Sequence, residues 1–356
     1  MAQTLTVQQR NALFAQATRQ NIQGLTRKSV KQGGSTLTFE IPKARLLSKV
    51  WLEVDAKLKV KKGTSSETEI ATDKLTPYQM IRRLSIDLNN GWSPYVIDGK
   101  SFAILSSIRQ DCHTVFPQHE DETGYCYCPA KITASEAGTS LHMHTVFELP
   151  VTLNDRDPIG IILAQSPETL IEIKVDFETE NNMLTIPDGW SVEVEAITVQ
   201  PTTETFSIPA VTEAMPDISV IKLVTSRTEA FTGNGQNVID LVTGTIYRKL
   251  AFLIEDMDGN PFSDEDITSN IDIIFNTADV NYSVPANLLR HKNELAFGHR
   301  LPKGVYVFDF SDNGVPNYGG TRDYIDTTKL TMFQLRFNSN KAGRIRTISE
   351  TLARLV

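Results

Sequence analysis

The sequence is poor in the features that would place it in several common classes. It has three cysteines, Cys112, Cys126 and Cys128. Three are too few for a disulfide framework, and Cys126-Tyr-Cys128 is too closely spaced for an easy internal bridge. No apolar run approaches the roughly 20 residues that a membrane-spanning helix needs. The longest, Ile159-Gly-Ile-Ile-Leu-Ala164, is short and ends in polar residues. The first thirty residues hold no continuous apolar stretch of the kind that marks a secretory leader. With 20 glycines and 16 prolines among 356 residues, the chain lacks collagenous or low-complexity texture. These absences predict a protein made and folded in a reducing cytoplasm. A hydrophobic content of 40% is enough for one large domain or two medium ones.

Acidic residues are missing from one end. Before Glu40 there are none, while Arg10, Arg19, Arg27, Lys28 and Lys31 supply five positive charges. All 43 acids therefore fall on the remainder, against 30 of the 35 bases, a balance of −13 within a net charge of −8. A basic arm on an acidic body points the arm at an anionic partner, lipid headgroups or nucleic acid. The acidic body excludes nucleic acid over the main surface, because phosphate neutralisation needs a basic face. Thr6-Val-Gln-Gln9 has capping-box spacing. Asn11 to Gln23 is free of Gly and Pro, and Leu13, Phe14, Ala17 and Ile22 form an interrupted stripe. The pattern predicts a helix from about Val7 to Gln23, stopped at Gly24. Its stripe is too thin for deep insertion, so contact at a surface is expected.

After Gly33-Gly34 the pattern becomes that of short, half-buried strands. Alternating runs occur at Thr36–Ile41, Val50–Val60, Leu84–Leu88, Leu170–Phe177 and Val192–Val199. The second half continues with Val238–Val242, Leu250–Ile254, Ile271–Phe275, Val305–Phe310 and Leu330–Phe337. Two further helices are predicted, Phe102 to Arg109 after Asp98, and one opened by Pro285 and running to about Leu295. The halves echo one another. Arg82-Arg-Leu-Ser-Ile86 resembles Arg248-Lys-Leu-Ala-Phe252, each leading to a turn, at Asn89-Asn-Gly91 or Asp256-Met-Asp-Gly259. Leu170–Phe177 resembles Leu330–Phe337 at equal length. Prolines 201, 209 and 216 mark a linker. The organisation predicted is an arm over 1–34, a first β-sandwich over 35–200, a linker over 201–216, and a second sandwich with its tail over 217–356.

Chemistry is harder to find. His142-Met-His144-Thr-Val-Phe-Glu148 would put two imidazoles and a carboxylate on one strand face. The spacing resembles the first motif of cupins, which would make the chain a metalloenzyme. Gly138 sits too near the first His for that pattern, however, and after Pro302-Lys-Gly304 the expected ligand position holds Val307. Cys112, His113, His119, Cys126 and Cys128 lack the paired spacing of structural zinc, so reduced loop thiols are expected. Asp256-Met-Asp-Gly-Asn260 with Asp264 imitates the start of a calcium loop. Pro261 and Ile267 break it, leaving a β-turn. The run Lys57-Leu-Lys-Val-Lys-Lys62 reads as the solvated face of a strand. No nucleophile elbow, phosphate loop or dinucleotide fingerprint occurs, so no catalytic residues, metal or cofactor are predicted.

The arm Gln8-Gln-Arg-Asn-Ala-Leu-Phe-Ala-Gln-Ala-Thr-Arg-Gln-Asn-Ile-Gln23, and Leu301-Pro-Lys-Gly-Val-Tyr306 placed between a helix and the Asn/Gly-rich run from Asp312 to Gly320, carry a resemblance. With the tandem sandwiches, they make the chain similar to the major capsid proteins of tectiviruses, most of all the Bacillus-infecting group. The resemblance implies an all-β double jelly roll, two tandem eight-stranded jelly rolls with an N-terminal helix and a few short helices. It implies homotrimers of pseudo-hexagonal outline that pack with neighbouring trimers, and with minor capsid and vertex proteins, into an icosahedral shell over an internal membrane. The location implied is the virion, after synthesis in the host bacterial cytoplasm. Arg10, Arg19, Arg27, Lys28 and Lys31 would face the membrane, and removing residues 1–34 would spare the trimer while weakening its hold on anionic vesicles. Two other functions fit tandem sandwiches: the cupin-like enzyme, and a glycan- or host-recognition protein.

Overall fold

A computed structural model describes residues 6–43, 45–89, 91–110, 112–120, 122, 124–153, 157–164, 170–233, 235–276, 279–311 and 325–355. The run from Asp312 to Gly320, Asn90 of the first predicted turn and the Cys112 side chain lie outside the described residues. The chain divides into two compact units, Met1–Lys222 with Arg354–Val356, and Leu223–Ala353.

The first unit contains eight principal strands. β1 consists of two edge segments, Gln20–Gly24 and Lys28–Val30. β2 is Thr36–Glu40, β3 Leu46–Lys61, β4 Ile81–Leu88 and β5 Trp92–Ile97. β6 is Thr139–Pro150, β7 Ile171–Phe177 and β8 Ser191–Phe206. They form two antiparallel sheets, ordered β1-β8-β3-β6 and β2-β7-β4-β5. This is jelly-roll wiring. Period-two alternation fixes which side is inside: Leu52, Val54, Ala56, Leu58 and Val60 of β3 are fully buried, while Glu53 and Lys57 between them are exposed.

The expected N-terminal arm is corrected here. The helix α1 spans Val7–Ala17, with the Thr6–Gln9 capping box in place. It does not reach Gln23, because Thr18 turns extended and its hydroxyl donates to the Phe14 carbonyl at 2.7 Å. Residues 20–24 pair with Thr202–Phe206, so unsatisfied β8 backbone overrides their helical propensity. The same pairing corrects the start of the linker: residues 201–206 are the end of β8, held on its other edge by β3. Residues 20–30 are thus the first strand of the jelly roll, and the unit boundary falls between Lys222 and Leu223.

The second unit repeats the plan. β9 is Val220–Phe231, which starts in the last residues of the first unit, β10 Gly235–Asp240, β11 Ile246–Asp256 and β12 Asn270–Phe275. β13 is Asp279–Pro285, β14 Val305–Asp309, β15 Phe333–Ser339 and β16 Gly343–Arg354. The sheet orders are β9-β16-β11-β14 and β10-β15-β12-β13. Every strand n of the first unit therefore corresponds to n + 8 of the second. Leu170–Phe177 and Leu330–Phe337 fall on equivalent strands, β7 and β15. The Arg82 and Arg248 segments do not, since they fall on β4 and β11, the fourth and third strands of their units. A single apolar core, including Ile239, Phe252, Phe262, Ile273, Tyr306 and Phe337, fills the space between the two sheets of the second unit.

Helices enter each unit after its fifth strand. In the first, α2 (Gly99–Ser107) is capped by Asp98, whose carboxylate accepts from the Ser101 N–H at 3.1 Å, and α3 (Cys112–Val115) follows. In the second, α4 (Ala286–Phe297) starts after Pro285 and ends at Gly298, whose left-handed φ of 71° suits a residue without Cβ. Among the described residues no helix is long and apolar enough to cross a membrane.

Candidate functional site

His142, His144 and Glu148 share one face of β6, as their spacing predicts, but they do not converge. His142 Nε2 lies 2.8 Å from Asp55 Oδ2 on β3, and His144 Nδ1 lies 4.0 Å from the same oxygen. Glu148 stands four residues beyond His144, about 13 Å along the strand. Its carboxylate is taken by Lys49 at 2.6 Å and by the Gln110 amide. Lys49 also lies 5.4 Å from the Trp51 ring, whose indole N–H donates to Glu204 at 3.5 Å. The cross-strand pairing that brings Lys49 and Asp55 to β6 is long-range and was invisible in the His-x-His motif itself.

The other candidates are equally occupied. Cys126 and Cys128 are buried, and that burial pushes both thiols up to about 12, which leaves them protonated and unreactive. His119 Nδ1 is 2.8 Å from the Cys128 carbonyl oxygen. Asp256 accepts from the backbone N–H groups of Asp258 and Asn260 at 3.0 and 2.8 Å, a closed turn. Asp264 is held by Arg290 at 3.1 Å and by the Tyr306 hydroxyl at 2.8 Å. Among the described residues, no group of three His, Cys, Asp or Glu is placed to hold a metal ion. What these side chains do is join strands.

Surfaces are the remaining sites. Arg10, Arg19, Arg27, Lys28 and Lys31 are all exposed, but they are spread along the first sheet. Arg19 is tied to Ser207 by two hydrogen bonds of 2.9 Å at one end of β8. Lys28 is opposite Val199 and Val30 opposite Ile197, so Lys31 lies roughly 36 Å from Arg19 at 3.3 Å per residue. Arg10 belongs to the Arg19 end. There α1 rests on Phe14, which packs with Leu46, Ile161 and Phe206. Beside it runs an open groove of about 600 Å³ lined by Asn11, Phe14, Lys49, Pro158, Glu204 and Phe206. In the second unit, α4 exposes Leu288 and Leu295, and the turn after β11 exposes Met257. The seven-residue leucine spacing was readable in the sequence, but which face of α4 is buried was not.

No protein-family model and no curated protein matches the chain. Solved structures do. The chain is similar to the major capsid protein of Sulfolobus turreted icosahedral virus, with a TM-score of 0.66 at 12% identity over 94% of this chain and 97% of that one. The fold is a double jelly roll. The double jelly roll is also similar to the PBCV-1 virus capsid, with a TM-score of 0.66 at 9% identity over 94% of both chains. It is similar to the major capsid protein of bacteriophage PM2, with a TM-score of 0.51 at 12% identity over 95% and 98%. At these identities the likeness is one of fold.

Proposed function

We propose that this double jelly roll is a major capsid protein, a structural subunit with no catalytic role. The observation that carries the reading is the end-to-end likeness in fold to viral capsid subunits, together with the repetition of one eight-strand plan in both units. Three chains of two like units have six like corners, so a closed trimer becomes a pseudo-hexagonal tile able to pave an icosahedral facet. The resemblance of the N-terminal segment to tectivirus capsid proteins supports an internal membrane beneath that shell. Neighbouring trimers, minor capsid proteins and vertex proteins would be the partners, and the virion the location, after synthesis in a bacterial host.

The spread of the five cations narrows the membrane proposal. With strands roughly normal to the shell, a membrane meets one end of the first sheet. Arg10 and Arg19 share that end, whereas Arg27, Lys28 and Lys31 are carried up its side. Each headgroup contact contributes about 1 kcal/mol, multiplied by avidity across a shell. Sedimentation of purified full-length protein, followed by negative-stain microscopy, tests the capsid reading. The expected result is a homogeneous three-chain particle of hexagonal outline; a monomer at high concentration would refute it.

A further inference from the structure

We propose that the turn after β11 in one copy docks on the outer stripe of α4 in a second copy, with Met257 seated between Leu288 and Leu295 and Asp258 facing Lys292. This inference rests on the assembly reading and names one of its contacts.

The stripe is defined by helix geometry. α4 turns Ala286, Leu289 and Asn293 inward, all buried. Leu288, Lys292 and Leu295 stand at i, i+4 and i+7 on the opposite face, with His291 beside them. Leu288 is 54% and Leu295 72% exposed, the latter the most exposed large apolar side chain among the described residues. The leucines lie about 10.5 Å apart along the axis, with a cation between them. That leaves two exposed apolar side chains with an exposed cation between them.

The turn has the complementary form. Asp256 N–H donates to the Asn260 carbonyl at 2.8 Å, and the Asp256 carboxylate accepts from the N–H groups of Asp258 and Asn260. Gly259 adopts a φ of 87° with open space around it. The backbone is therefore fixed before docking, which reduces the ordering cost. Met257 projects from it, 50% exposed, beside the exposed Asp258. An apolar tip with one free carboxylate beside it matches an apolar stripe interrupted by a cation. Since both surfaces are exposed, they do not satisfy one another within one chain.

The size of the patch says what kind of contact it can be. Three half-exposed side chains fall far short of the roughly 1,200–2,000 Å² that holds a stable pair. Such a contact suits a lattice, where many weak contacts act together. Because the two patches differ, a copy whose turn and whose α4 engage different neighbours passes the contact on from chain to chain, into rings or sheets.

The test is a charge swap between copies of the full-length protein. Neither the Lys292 ammonium nor the Asp258 carboxylate takes part in the hydrogen bonds that shape the helix or the turn, so Lys292→Glu and Asp258→Lys should unfold at the wild-type temperature. Each variant alone is expected to need about fivefold more protein to assemble, read by light scattering and microscopy. A one-to-one mixture should assemble at a lower concentration than either variant alone, because the carboxylate introduced on α4 of one variant can then meet the ammonium introduced on the turn of the other. Normal assembly of both single variants would overturn the contact while leaving the capsid reading intact. Defects that mixing fails to relieve would also overturn it and would point to another acidic partner. A wild-type protein that never assembles would overturn the capsid reading itself, and this contact with it.

Discussion

Asn293 can be removed with a predictable result. It lies in the middle of α4, 5% exposed, beside the outermost strand of its sheet, β14. Its side-chain amide donates to the Val307 carbonyl at 2.8 Å, and its carbonyl oxygen accepts from the Val307 N–H at 2.9 Å. One side chain thus substitutes for the missing neighbour strand on that edge, and the helix shields the rest. Asn293→Leu keeps the volume but leaves a buried donor and a buried acceptor without partners. Each costs about 1–3 kcal/mol, together about 2–6 kcal/mol of the second unit's stability. For a unit of this size that lowers the midpoint by roughly 6 °C or more. Hydrogen exchange at the Val307 amide should accelerate in parallel. A Leu variant within about 0.5 kcal/mol of wild type, or an unchanged Val307 exchange rate, would refute the edge-pairing argument.

Other perturbations have equally definite outcomes. Arg248 and Glu350 form a buried pair at 3.5 Å, with side chains 6% and 1% exposed. Arg248→Met should cost about 3–5 kcal/mol in urea unfolding, and adding Glu350→Leu should restore more than half of it. Deleting residues 1–34 takes away β1 and uncovers one edge of β8, so the truncated chain should be insoluble or lose its first unfolding transition. A soluble, stable truncated trimer would contradict the strand assignment. Burial opposes ionisation of Asp266, but the Ser263 N–H and hydroxyl, and then Lys341, hold its carboxyl down at about 2. A lowered folded pKa contributes stability that is complete above the unfolded carboxylate range and is lost as pH falls towards 2. Asp266→Asn should flatten that part of the acid-unfolding curve, measured by circular dichroism.

Most of the strand content was legible because apolar alternation is a local property. Leu52 to Val60 and Ile171 to Phe177 declare a half-buried strand without reference to any partner. Helix ends were legible where caps are local, as at Thr6 and Pro285; after Asp98 the helix spans Gly99–Ser107, where Phe102 to Arg109 was expected. One strand that escaped notice lacks that alternation. Gly343–Arg354 reads Gly-Arg-Ile-Arg-Thr-Ile-Ser-Glu-Thr-Leu-Ala-Arg, yet its Glu350 and Thr351 are buried, made tolerable by Arg248 and neighbouring strands. Residues 20–24 look helical because nothing in them reveals that β8, far along the chain, has an open edge. His142 and His144 failed as a metal site for the same reason: Asp55 and Lys49, which fix the fates of His142 and Glu148, arrive by strand pairing.

The closure of the first unit has a consequence for synthesis. Arg19 and Ser207, which bond at one end of the β1–β8 pair, are separated by 188 residues. On a translating ribosome, β1 emerges first and must wait for its mate, at about 5–20 residues per second a delay of roughly 10–40 s. During that interval the nascent chain carries an unpaired edge together with the cationic segment that precedes Glu40. Production of soluble subunit should therefore respond to translation speed and to chaperone supply more sharply than the stability of the finished protein would suggest.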